Sequence, residues 1–320
     1  MFGKWMNNYY YGKSGKGDYK KEDLPTTRWQ LFWEMLRVRL SALVRLNLLY
    51  AVAWLPAMIV LMIYGLNVVM AINNLAAETT ELVYTGEQLR AAFSNMTLSM
   101  LLWLTPCIAI TGIVTPGLAY VTRNWARDEH AFVWSDFKDA VKANWKQGLG
   151  LSAITGIMPL VLFTSYEVYG AMAAENAFMV VPQVLVLMIG LVWGLCITYM
   201  HPLVVSYKLS FKNVLRNGLL LGVARLPMSF AIRLLHCVPM IIGVGLMLVV
   251  DPMYCILGLF AYYVLIGFGL SRFITASYTN GVFDKYINSR IEGATVNRGL
   301  NTEVDDDEYE DEELEDDLQA

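Results

Sequence analysis

Six apolar stretches, at about 46–71, 98–121, 149–172, 177–204, 229–250 and 252–276, leave this chain few ways to fold. Each is long enough to cross a hydrocarbon layer of ~30 Å, which takes about 20 helical residues. In lipid every backbone polar group must find a partner inside the segment, so such stretches become helices. The basic residues fall almost entirely in alternate gaps. Nine precede the first stretch, five lie in 122–148 (Arg123, Arg127, Lys138, Lys142 and Lys146), and Lys208, Lys212, Arg216 and Arg225 follow the fourth. Arg90 is the only basic residue in the other gaps, which hold Glu78, Glu81, Glu87 and Asp251. Positive residues mark the cytoplasmic side of a membrane. The pattern predicts an all-α polytopic bundle of about six transmembrane helices plus amphipathic interfacial helices, with both termini cytoplasmic.

Composition agrees: 56% of residues are hydrophobic, 16% are charged, and the mean hydropathy is +0.44. These values exclude an ordinary soluble domain. Cys107, Cys196, Cys237 and Cys255 all lie in apolar stretches without metal-ligand spacing, so they read as small buried hydrophobes. Residues 1–27 form a polar N-terminal segment with no cleavable signal pattern. The net charge of −4 hides an asymmetry, because twelve acids crowd 303–317. Without them, sixteen acids face twenty-four bases. The body, 28–280, is therefore basic on its cytoplasmic face, which suits anionic lipid headgroups rather than nucleic acid. The tail within 281–320 is a like-charge block expected to stay solvated, or to compete with lipid for the basic loops.

Several segments read as amphipathic. Thr26 or Thr27 caps a helix starting near Arg28. Trp29, Phe32, Trp33, Leu36 and Leu40 then form one stripe, with Arg37 and Arg39 on the remaining surface. This predicts a helix lying at the inner interface; a plain cytoplasmic start to the first span is the alternative. The two basic loops resemble each other. Thr115-Pro116-Gly117 and His201-Pro202-Leu203 end spans two and four, and Phe137-Lys138 and Phe211-Lys212 open basic segments after them. In the first segment Phe137, Val141 and Trp145 share a face among Lys138, Lys142 and Lys146; in the second, Arg216 follows Lys212. Two readings stand, a degenerate parallel repeat over spans two to five or a shared insertion pattern.

Ionisable residues within the spans are few and therefore informative. They are Glu167 near the outer end of span three, His201 near the inner end of span four, and Arg233 and His236 in span five. Arg233 is expected to snorkel to the inner face. His236 is expected to bond a helix carbonyl. Asp251 should cap span six. Pro106, Thr111, Gly112, Pro116 and Gly117 suggest that helix two is broken, as in transporter sites, or kinked for packing. Gly190 and Gly194 form a GxxxG. No catalytic motif, paired intramembrane carboxylates or phosphate-cradling loop occurs, so no enzymatic activity and no cofactor are expected.

Asn47-Leu48-Leu49-Tyr50 with Leu55-Pro56 resembles the opening of the YesL-like family of bacterial membrane proteins. Thr111-Gly112, Thr115-Pro116, Ala119-Tyr120 and Arg123 resemble its next block. Asp136-Phe137 through Asn144-Trp145-Lys146-Gln147 resembles its charged loop and amphipathic helix, and 207–212 its second cytoplasmic block. The likeness covers about 30–280. It departs in a longer stretch between Leu55-Pro56 and Thr111-Gly112 and in the acidic tail. The resemblance implies a bacterial cytoplasmic-membrane protein, accessory to carbohydrate uptake, with a carbohydrate ABC transporter or another membrane protein as partner beside lipid. It supplies no catalytic residue. The expected working surface is the basic face of Arg28–Arg39, Phe137–Lys146 and Phe211–Arg216. The alternative is a small-solute transporter or channel that uses helix two and His236.

Overall fold

A computed structural model describes residues 24–76 and 85–301. The acidic end 303–317, residues 1–23 and part of the first loop lie outside the described residues. Within them the helices are α1 (Arg28–Ala76), α2 (Gly86–Trp125), α3 (Ser135–Glu175), α4 (Val180–Ser206), α5 (Phe211–Ala224) and α6 (Leu226–Leu246). α7 (Pro252–Tyr262) and α8 (Phe268–Tyr286) are joined by a π turn, Tyr263–Gly267. No strand occurs among the described residues. Six helical segments are long and apolar enough to cross a membrane, and each predicted span falls almost wholly within one of them. This is a multi-pass membrane protein with a helical-bundle fold.

Local chemistry starts these helices, at Thr27 and Asp251 as expected from the sequence. Thr27 Oγ1 accepts from Gln30 N–H (3.3 Å), and Gln30 Oε1 accepts from Thr27 N–H (3.2 Å). Thr85 and Gln88 make the same capping box for α2. Ser210 caps α5, and Asp251 Oδ1 accepts from Met253 N–H (2.8 Å) to cap α7.

α6, at 21 residues, spans about 31 Å, close to the hydrocarbon thickness. α1, at 49 residues, spans about 73 Å and must project well beyond it. The expected interfacial helix over Arg28–Arg39 is therefore not separate; it is the projecting start of span one. Its packed face is Leu31, Met35, Leu43 and Leu46, whereas Trp29 and Trp33 of the predicted stripe are exposed. Phe137–Lys146 is likewise the first part of α3, not an independent helix. Phe211–Ala224 does stand as its own helix, because the chain turns at Arg225 before Pro227 opens α6.

α2 is unbroken from Gly86 to Trp125, which removes the broken-helix alternative and leaves the packing one. Pro116 removes the N–H that the Gly112 carbonyl would use. That carbonyl lies instead against the Cα of Gly148 on α3, where neither residue has room for a side chain. Thr105 Oγ1 reaches the Gly156 carbonyl (3.2 Å) on the same seam. Small residues let the two backbones approach, which is how membrane helices associate without a hydrophobic drive. Thr115 Oγ1 donates to the Thr111 carbonyl (2.8 Å), and such back-bonds help a proline-bearing helix stay satisfied. α4 and α5 repeat the device with Gly218 against Met200 and Gly222 against Cys196. Gly190 packs on Leu162, while Gly194 has open space beside it.

Span six hides a second irregularity. The π turn leaves carbonyls without their usual helical partners. Asn47, fully buried on α1, fills the gap: its Nδ2 donates to the carbonyls of Tyr263 (3.0 Å) and Val264 (2.6 Å). Its Oδ1 accepts from Gly269 N–H (2.7 Å). α1 can come this close because Gly269 has no side chain; a Cβ there would sit 3.2 Å from that of Asn47.

Candidate functional site

Residues of α1–α4, α6 and α8, with Tyr262 at the end of α7, surround a cavity of about 290 Å³. α1 contributes Tyr50 and Trp54, α2 Thr111 and Thr115, and α3 Ser152 and Thr155. α4 adds Thr198 and His201, α6 Arg233 and His236, and α8 Ser271, Arg272 and Thr275. These residues fall in the half of each apolar stretch nearer the end where basic residues gather. Arg233 lies about 10 Å along α6 from Leu226. This polar interior therefore lies in the part of the bundle nearer the basic end.

Its polar groups are only partly satisfied by one another. Tyr50 Oη and Thr115 Oγ1 share a hydrogen bond of 2.9 Å. Arg233 Nη2 donates to Thr198 Oγ1 (2.9 Å), so Arg233 turns into the bundle and does not snorkel as expected. His236 Nε2 lies 3.0 Å from the Ser271 carbonyl and 3.3 Å from Thr275 Oγ1, the carbonyl bond anticipated for it. His201 is buried at 3% exposure, and its Nδ1 has no hydrogen-bond partner. Two other lining residues carry a buried nitrogen without a partner, Trp54 at Nε1 and Arg233 at Nε. No Asp or Glu lines the cavity, and neither Arg233 nor Arg272 makes an ion pair among the described residues.

Aromatic rings close the cavity on one side. Trp54 stacks on Phe268 (4.8 Å between centroids), and Tyr263 adjoins Phe268 (5.2 Å). The same three side chains line a second, apolar pocket of about 400 Å³ with Met58, Met62 and Met240. On the other side, Leu235, Leu270 and Ile274 also line a groove of about 790 Å³ that runs toward Arg28, Arg225 and Lys285. α6 borders all three spaces, and only Ser229 and Gly243 of its residues are buried.

Other predicted site residues are distributed differently. Phe137, expected on the interaction surface, is 6% exposed and packs on Gly117, because its ring fills the space that glycine leaves. Phe211 packs partly on Gly150. Lys138, Lys142, Trp145, Lys146, Lys212, Arg216 and Arg37 are exposed as expected. Arg39 is partly buried beside the loop after α2, where burial pushes the Asp128 carboxyl up against its pull. Pro106, Gly112 and Pro116 lie in α2, and Gly112 and Pro116 serve the seam with α3. Glu167 faces Arg90 at 3.6 Å and Ser94 at 3.4 Å, a half-exposed pair near the outer end.

The basic end has a lock of its own. Asp284 takes Arg28 Nη2 (2.6 Å), Asn288 Nδ2 (2.6 Å) and Asn297 N–H (3.0 Å). Tyr207 donates to Asn288 Oδ1 (2.7 Å), and burial, then the Asp284 charge, push its phenol up to about 12. Arg28 thus fastens the C-terminal segment instead of facing lipid.

Residues 96–166 match a family model. Its description is "Protein of unknown function, DUF624". The matched stretch contains the glycine seam of α2 and α3 and four hydroxyls of the cavity wall, Thr111, Thr115, Ser152 and Thr155. No curated protein matches the chain, and no solved structure matches it.

Arg272, near the end of the sixth apolar stretch, was not among the residues expected from the sequence. Ser152, Thr155 and Thr198 were also missed. A usable signal existed: two arginines inside apolar stretches with no acid at matching depth.

Proposed function

We propose that this protein sits in a bacterial cytoplasmic membrane with both termini inside, and takes a small polar solute into the cavity between its helices as a transporter or channel. The observation that carries this reading is the cavity itself. Hydroxyls, imidazoles and guanidinium groups converge inside the span, where each unsatisfied polar group is costly and usually tied to substrate passage. The sparse packing of α6 supports it further, since an element with few buried contacts is the natural moving part. Nothing in this role asks for bond-making chemistry, so the protein is read as non-enzymatic.

A cysteine scan tests it. In a background without the four native cysteines, single cysteines along 105–117 are exposed to a membrane-impermeant thiol reagent. Positions 111 and 115, which line the cavity, are expected to react; 110, half-exposed toward lipid, is expected to stay protected. Uniform protection of all thirteen positions would remove the reading.

A second reading keeps the YesL-like resemblance and makes the protein an accessory to carbohydrate uptake through its basic end. Exposed Trp29, Trp33, Phe132, Trp134 and Trp145 gather there among lysines and favour it. Interfacial lipid also explains aromatic residues at that depth, so the cavity has the stronger support.

A further inference from the structure

We infer that the cavity is a site for an oxyanion, a phosphate or carboxylate group, gripped by Arg233 and Arg272. This deepens the solute-binding reading and rests on it. Guanidinium groups stay protonated under all physiological conditions. Two of them therefore bring two positive charges into one cavity inside the span, with no carboxylate lining it and no ion pair for either among the described residues. Charge buried in such a place calls for a counter-charge.

Hydrogen bonding points the same way. The unpartnered buried atoms on lining residues are all nitrogens: Trp54 Nε1 and Arg233 Nε, which donate, and His201 Nδ1, which donates in one tautomer. A guanidinium only donates and an oxyanion only accepts, so the planar fork of each arginine matches such a group in particular. Thr198 already holds one arm of Arg233 in place at 2.9 Å, so part of the site is formed before a ligand arrives.

Two sources could supply the oxyanion. One is a free solute from water. The other is a phospholipid headgroup, whose tails would lie in the apolar spaces that share Trp54 and Phe268, or Leu235 and Ile274, with the cavity.

The test uses the full chain in nanodiscs of zwitterionic phosphatidylcholine and follows its thermal unfolding midpoint. One arm titrates sodium phosphate against sodium chloride at matched ionic strength. The other replaces phosphatidylcholine stepwise with phosphatidylglycerol. A saturable upward shift of several °C, about what ligand at ~100 times its Kd gives, is expected in one arm. A shift with phosphate names a free anion; a shift with phosphatidylglycerol alone names a headgroup. Arg233→Gln and Arg272→Gln should abolish the shift, while their ligand-free midpoints match or exceed that of the parent, because like-charge repulsion is relieved. Arg272→Lys, which keeps charge and loses the fork, should retain a shift needing roughly tenfold more ligand. No saturable shift in either arm overturns the inference, and so does an undiminished shift in the glutamine variants. If position 111 or 115 still reacts with the thiol reagent in that case, the cavity binds a different class of solute. If neither reacts, the solute-binding reading falls too.

Discussion

Gly148→Ala is expected to destabilise the protein by about 2–4 kcal/mol, although alanine favours helix by up to ~1 kcal/mol over glycine. The new methyl would clash with the Gly112 carbonyl oxygen and come 2.8 Å from Pro116 Cγ. Neither neighbour can rotate away: one is backbone and the other is a closed ring. The two helices must part along the whole seam, which also carries Gly156 and Thr105. The cavity wall should feel the change, because Thr111 and Ser152 flank the contact. Gly194→Ala is the control, since its Cβ would meet nothing within 4 Å; it should be neutral or slightly stabilising. Thermal or denaturant unfolding in a fixed detergent checks both, and equal effects at 148 and 194 would contradict the account of the seam.

Asn47→Leu is expected to cost about 2–4 kcal/mol for a different reason. The leucine is close in size, but it leaves the Tyr263 and Val264 carbonyls and the Gly269 N–H buried without partners. Each such orphan costs roughly 1–3 kcal/mol, less whatever the chain recovers by relaxing. Asn47→Asp tests the hydrogen-bond logic separately. It keeps the acceptor for Gly269 yet turns negative oxygens toward two carbonyls, and should be no better than leucine. Because Tyr263, Gly267 and Phe268 line the cavity, these variants should also weaken whatever binds there. A variant with unchanged stability and hydrogen exchange at 263–269 would mean that the π turn does not depend on Asn47.

The spans could be read from sequence because about 20 apolar residues in a row leave the backbone no alternative to helix. The caps at Thr27 and Asp251 were visible for an equally local reason. Face assignment was not. In water an apolar stripe marks the buried side, but in lipid both sides of a helix are apolar, so the interfacial stripe of Trp29 and Trp33 gave no sign that Leu31, Met35 and Leu43 do the packing. Phe137 was misplaced on the surface because its partner, Gly117, lies in another helix and leaves no trace in local periodicity. The cavity draws on residues from Tyr50 to Thr275, so no single window contains it. The π turn was hidden in a continuous apolar run, although Asn47 offered a clue: an amide in an apolar stretch needs partners.

The most direct measurement is the rate at which a cysteine at position 198, in the cysteine-free background, reacts with an anionic and with a cationic methanethiosulfonate reagent. A water-reachable cavity holding Arg233 and Arg272 should draw the anionic reagent in, giving a rate at least about tenfold above the cationic one at low ionic strength. The preference should fall as salt is added and vanish when both arginines are replaced by glutamine. Failure of both reagents to react, or faster reaction of the cationic one, would contradict a positively charged solute site within this membrane bundle.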